Sequence, residues 1–136
     1  MKLLVDEAGS DLAAALWNGC DAAFSSRLAY PEVRSALAAA GRNHDLRPRE
    51  VASATEEWEE FWASVRPVEF TASVEQAAGS LTGSHSLRGA DAVHLASALA
   101  LGVPDLTMAV WDQRLHAGAA AVGLAVAPAV LDHQRP

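Results

Sequence analysis

One cysteine and one lysine, Cys20 and Lys2, are all that 136 residues hold of those two types. A lone cysteine excludes an internal disulfide framework and a thiolate zinc site. With arginine supplying almost all of the positive charge, any contact to phosphate falls to guanidinium groups. No apolar run approaches the roughly 20 residues that a membrane span needs, so a membrane partner is not expected. A leader peptide is not expected either, because the apolar start runs directly into Asp6 and Glu7. A cytoplasmic protein follows. Positive charge is scarce overall: 10 Lys and Arg stand against 17 Asp and Glu, a net charge of −7 and a sequence pI near 5.1. That balance argues against a protein that coats nucleic acid by neutralising it. It leaves room for an enzyme that meets nucleic acid through bound cations, around which carboxylates must gather.

What is present reads as one globular domain over residues 1–136, with 51% hydrophobic and 20% charged residues and neither repeats nor low-complexity linkers. Asp11 to Trp17 has a helical pattern, and "CDAAFSS" reads as a short buried strand. Arg27 to Ala40 is helical, with Ser26 as its cap, Pro31 in its first turn and Gly41 as its end. In "RPREVASATEEWEEFWASV" the apolar residues Val51, Ala54, Trp58, Phe61, Trp62 and Val65 recur at helical spacing, leaving an acidic outer face. "RPVEF" reads as an edge strand and Ser73 to about His85 as a helix. Gly89 to Leu101 is an apolar helix expected to be buried on most sides and stopped by Gly102 and Pro104. "DLTMAVW", Gln113 to Val122 and "GLAVAP" complete the chain as strand, helix and strand. Strands alternating with helices, without hairpin signals, predict an α/β fold with a parallel sheet covered on both faces.

Ligands of such sheets bind at the carboxyl ends of the strands. Three acids fall there: Glu32 after "CDAAFSS", Asp91 at the start of the buried helix, and Asp112 directly after "LTMAVW". Each has a plain structural alternative, as a solvated helix residue, a partner of a helix dipole or a helix cap respectively. Together they suit a hard divalent cation such as Mg2+ or Mn2+, which takes oxygen ligands and favours hydrolysis of a phosphodiester. Arg27, Arg88 and Arg114 lie close in sequence to these acids; they are candidates for holding substrate phosphates or orienting the carboxylates, or are exposed arginines that make neither contact. His94, on the helical face of Asp91, reads as a packed core histidine in preference to a general base, Ser97 as a packed core residue, and Trp58, Phe61 and Trp62 as core or subunit contacts.

The segments "SSRLAYPEVRSALAAAGR", "LRGADAVHLASALALGV" and "LTMAVWDQRLHAGAAAVGLAV", in that order, resemble a PIN-domain protein of the VapC toxin type over nearly the whole chain. The resemblance implies a three-layer α/β/α domain with a central parallel sheet. It also implies a Mg2+- or Mn2+-dependent endoribonuclease, the toxin of a type II toxin–antitoxin pair, with a VapB-type antitoxin and a homodimer as partners. Residue by residue, Glu32, Asp91 and Asp112 match three of the family's four acidic positions.

The fourth position, at the end of the family's opening strand, has no plain match. "KLLVDEAGS" resembles the later part of the family's opening phrase, and Asp6 precedes Glu32 by only 26 residues, fewer than the family spacing. Two readings stay open. Either Met1 falls inside the first helix and the central strand with its aspartate is missing, as a mis-called translation start explains, or "MKLLVD" forms the strand and offers Asp6 as a ligand. Loss of a central strand leaves ladder groups unpaired. A degenerate PIN module that binds a partner without cleaving RNA is therefore the rival to the nuclease. A receiver-like phosphoacceptor also clusters acids at a sheet edge, but such sites use a lysine, and Lys2 is badly placed to provide one.

Overall fold

The computed structural model describes residues 1–131, which fall into two compact units divided between Pro67 and Val68. The opening five residues are not a strand. The N–H groups of Leu4 and Val5 both donate to Met1 O, at 2.9 and 3.0 Å, closing a helical turn after which Asp6 is exposed. The strand that would deliver Asp6 to a sheet edge is thus replaced by local backbone hydrogen bonds.

The N-terminal unit then runs through α1 (Ser10–Gly19), β1 (Ala23–Ser26), α2 (Ala29–Arg42), α3 (Pro48–Ser64) and β2 (Val65–Val68), the last ending at the boundary. β1 pairs with β2 in a two-stranded sheet. Pro48 sits in the first turn of α3, where its missing N–H costs nothing, and Glu50 accepts from the Arg47 N–H at 3.1 Å. Two details differ from the sequence pattern. Ser26 precedes the cap position; its hydroxyl accepts from the Leu28 N–H at 3.2 Å, and Leu28 itself is the N-cap of α2. Gly41 does not end α2, which continues to Arg42. A Cβ built on Gly41 would lie 3.1 Å from Val51 Cγ2, so the glycine serves the close approach of α3. The apolar face of α3 meets Tyr30 and Trp17 in a ring cluster: Trp17 and Phe61 stand edge to face at 4.9 Å, and Tyr30, Trp58 and Trp62 lie 5.5 to 6.3 Å apart. At its rim Tyr30 Oη donates to Glu59 at 2.6 Å, and Arg34 donates to Glu59 at 2.9 Å.

The C-terminal unit contains α4 (Ala72–Ser84), α5 (Gly89–Leu101), β3 (Thr107–Ala109), α6 (Gln113–Ala121) and β4 (Ala125–Ala127). Thr71 caps α4 by accepting from the Val74 N–H at 3.2 Å. α5 is buried on two faces. Ala92 and Ala96 pack on Val74 and Ala78 of α4, while Leu95 packs with Val110, Leu115 and Ala119. Leu81 and Leu87 touch both clusters. The remaining face is open: Leu99 is 40% exposed, so the expectation of burial on most sides holds for two faces only. Gly102, at φ 57°, ends the helix in the left-handed conformation that favours glycine. β3 and β4 pair in parallel, Met108 opposite Val126, across a crossover made by α6.

The fold is therefore α/β with short strands, distributed as two two-stranded sheets. Among the described residues no helix is long and apolar enough to cross a membrane.

Candidate active site

The two candidate acids of the C-terminal unit, Asp91 and Asp112, occupy the N-terminal ends of α5 and α6, helices that pack on each other. Asp112 leaves the carboxyl end of β3 after Val110 and Trp111 and is the N-cap of α6. Its Oδ1 accepts from the Leu115 N–H at 3.0 Å. Asp91 is in the first turn of α5, half-buried, and its Oδ2 accepts from the Arg88 N–H at 3.2 Å. The structural alternatives noted for these two acids are thus realised. They do not exhaust the side chains. Each carboxylate commits one oxygen to a backbone N–H at a helix start, and among the described residues its other oxygen accepts no hydrogen bond. Two such oxygens are hard donors of the kind Mg2+ and Mn2+ take.

Glu32 lies in the first turn of α2, exposed, in the N-terminal unit. Among the described residues no three or more His, Cys, Asp and Glu side chains are gathered as a metal cluster. Asp6 is exposed behind its helical turn and does not stand at a strand end. Of the candidate phosphate contacts, Arg27 precedes α2, Arg88 caps α5 and Arg114 opens α6; all three are exposed. Ser97 donates to Val93 O at 2.7 Å, a helix back-bond that accounts for its burial. His94 is half-buried on α5.

Two residues near this site carried no clear signal in the sequence. His85 and Ser86, in the short link between α4 and α5, face a shallow depression of about 390 Å3 whose opposite wall is α6, with Arg114 at its edge. The polar string "TGSHS" was legible only as a helix end.

The cap role and the ligand role of Asp112 separate by mutation. Asp112→Ala is expected to lose about 1 kcal/mol of stability with the N-cap, whereas Asp112→Asn keeps an acceptor oxygen and costs only a few tenths. Equal destabilisation of both in urea titrations would show that the charge, and not the hydrogen bond, serves the helix.

The C-terminal unit of this α/β fold thus places carboxylates at the N-terminal ends of two adjacent helices. A sequence profile of the PIN domain matches residues 1–109, a span that includes Glu32 and Asp91 and stops short of Asp112. The chain is 69% identical over 132 residues to Ribonuclease VapC45 of Mycobacterium tuberculosis strain CDC 1551, and equally to Ribonuclease VapC49 of strain H37Rv. Both matches cover 97% of this chain and 92% of the relative. The chain belongs to the PIN-domain family, in its VapC branch.

Proposed function

We propose that this chain is a divalent-cation-dependent endoribonuclease, the toxin of a type II toxin–antitoxin module, whose activity a VapB-type antitoxin blocks. The observation that carries the proposal is 69% identity across nearly the entire chain to two proteins that bear the name ribonuclease. A cytoplasmic location, where RNA and the antitoxin would be met, and a homodimer as the family's assembly are part of this proposal. Residues 1–136 form a single PIN-like domain in this proposal, a three-layer α/β/α arrangement with a central parallel sheet.

In the catalytic assignment Asp91, Asp112 and Glu32 hold Mg2+ or Mn2+. The donor chemistry fits, since Asp91 and Asp112 each retain an oxygen beyond the one engaged at a helix end. When bound, the cation supplies Lewis acidity to a phosphoryl oxygen and lowers the pKa of an attacking water. The protein's own residues do the rest. A capping bond restricts the rotamers of Asp91 and of Asp112, so less ordering entropy remains to be lost on binding. Arg27, Arg88 and Arg114 contact the RNA phosphates in a molecule whose net charge of −7 otherwise repels them.

The test is cleavage of a structured RNA by the purified chain. Activity is expected with Mg2+ or Mn2+, is expected to vanish with a chelator, and should return when excess metal is restored. Cleavage that persists in the chelator would sink the cation assignment. One observation favours a second reading, a module that binds its antitoxin without cleaving: the fourth acidic position of the family is not met by Asp6, which sits behind a turn. Tight antitoxin binding by a chain that leaves RNA intact at every metal concentration would select it.

A further inference from the structure

We propose that His85, Ser86 and Arg114 form a phosphate subsite that holds one backbone phosphate of the RNA strand beside the carboxylates of α5 and α6. The subsite deepens the ribonuclease assignment and rests on it. Three observations converge. These three residues border both neighbouring depressions on this face, of about 390 and 710 Å3, so they form the ridge common to the two. Among the described residues none of their three side chains makes a hydrogen bond or ion pair, whereas the Thr82 and Ser84 hydroxyls beside them donate to the carbonyls of Gly79 and Ser80, at 2.7 and 3.2 Å. All three offer donors: a planar guanidinium fork, a hydroxyl and an imidazole N–H, and among the described residues no carboxylate lines either depression.

Charge selects the ligand. Residues 68–131 contain five carboxylates and only two arginines, Arg88 and Arg114. An arginine that has no counter-ion among the described residues of an acidic unit is poised for an external anion. A tetrahedral phosphate satisfies a guanidinium, a hydroxyl and an imidazole together. Position selects the polymer. Arg114 follows Asp112 by two residues and Ser86 precedes Asp91 by five, so a strand crossing the depression has only a short way to run to either acid, although neither acid lines it. The walls are also fixed in place. Leu87, which packs into both core clusters, lies so near α6 that a Cβ on Gly118 would stand 3.1 Å from its Cδ2, and its N–H donates to His85 O at 2.8 Å. A shallow, open site with a rigid floor suits a strand passing across it better than an enclosed small molecule.

Two titrations test this. In the first, inorganic phosphate is added to the 15N-labelled full chain, and a short single-stranded oligoribonucleotide, with Ca2+ in place of Mg2+, is then added as competitor. Phosphate is expected to shift the amides of Ser86, Leu87 and Arg114, and the oligonucleotide to displace it. In the second, fluorescence anisotropy follows oligonucleotide binding across a salt series. Arg114→Gln is expected to weaken binding about tenfold, the size of one hydrogen bond to a charged group. It should also flatten the dependence of log K on log salt by about 0.7, one phosphate on a single strand. Ser86→Ala should weaken binding with the slope unchanged, and Arg49→Gln, on α3, should do neither. Wild-type affinity and slope in Arg114→Gln, from a chain that still cleaves RNA, would overturn the subsite and spare the nuclease. Phosphate shifts at Ser86 and Arg114 without RNA binding or cleavage would overturn the nuclease and the RNA assignment with it.

Discussion

Asp91→Asn is expected to reduce RNA cleavage by at least about 10³-fold, which corresponds to about 4 kcal/mol of transition-state stabilisation, while the chain stays folded. Asparagine is nearly isosteric, and its amide oxygen still accepts from the Arg88 N–H that Asp91 Oδ2 now meets at 3.2 Å. What it removes is the negative charge and one hard oxygen ligand. The structural cost is the loss of a charge at a helix N-terminus, about 0.3 to 1 kcal/mol. In a domain of this size that lowers the melting temperature by no more than about 4 °C. Single-turnover cleavage assays and thermal melts on the same preparation check both halves. Full activity in the variant would remove Asp91 from the site, whereas an unfolded variant would make its role at the end of α5 the dominant one.

A second large effect falls on stability. Leu95→Ala is expected to cost about 2 to 5 kcal/mol, a substantial share of the roughly 5 to 15 kcal/mol that hold a domain together. Leu95 is fully buried between α5 and the group formed by Val110, Leu115 and Ala119. Neighbours drawn from β3, α6 and their connection resist collapse into the space a shortened side chain leaves. Leu99, one turn along the same helix and 40% exposed, provides the contrast: Leu99→Ala should cost less than about 1 kcal/mol. Urea titrations should show the midpoint falling in Leu95→Ala with its slope unchanged. Similar losses in both variants would mean that the open face of α5 is covered in solution, as subunit association would cover it.

The helices were legible because each carries a local signal. α5 begins and ends where Gly89, Gly102 and Pro104 indicate, and the apolar spacing of α3 matches the face that meets Trp17 and Tyr30. Gly41 misled because a glycine near a helix end has two uses, termination and close approach, and only the position of Val51 decides between them. The strands were harder. "DLTMAVW" suggested seven residues, of which three pair; Asp105, at φ 61°, belongs to the turn that feeds β3, so the ladder begins at Thr107. Which strands share a sheet depends on partners distant in sequence, which no local pattern records.

The acids show a different limit. Sequence position placed Asp91 and Asp112 correctly at helix starts, yet it offered capping and ligation as alternatives. A carboxylate has two oxygens, and in both residues one of them accepts a capping bond while the other accepts none among the described residues, so capping does not decide against ligation. The ridge of His85, Ser86 and Arg114 was half legible: Arg114 drew notice for its closeness to Asp112, but the link between α4 and α5 has no periodicity that would bring it to α6.

Divalent-cation binding at Asp91 and Asp112 is the central claim, and paramagnetic broadening by Mn2+ measures it most directly. Substoichiometric Mn2+ added to the 15N-labelled chain should first erase the amide signals around Arg88 to Val93 and Asp112 to Leu115, with Asp91→Asn abolishing the effect and Mg2+ competing it away. Broadening confined to the acidic outer face of α3, around Glu56 to Glu60, and indifferent to Asp91→Asn would contradict it.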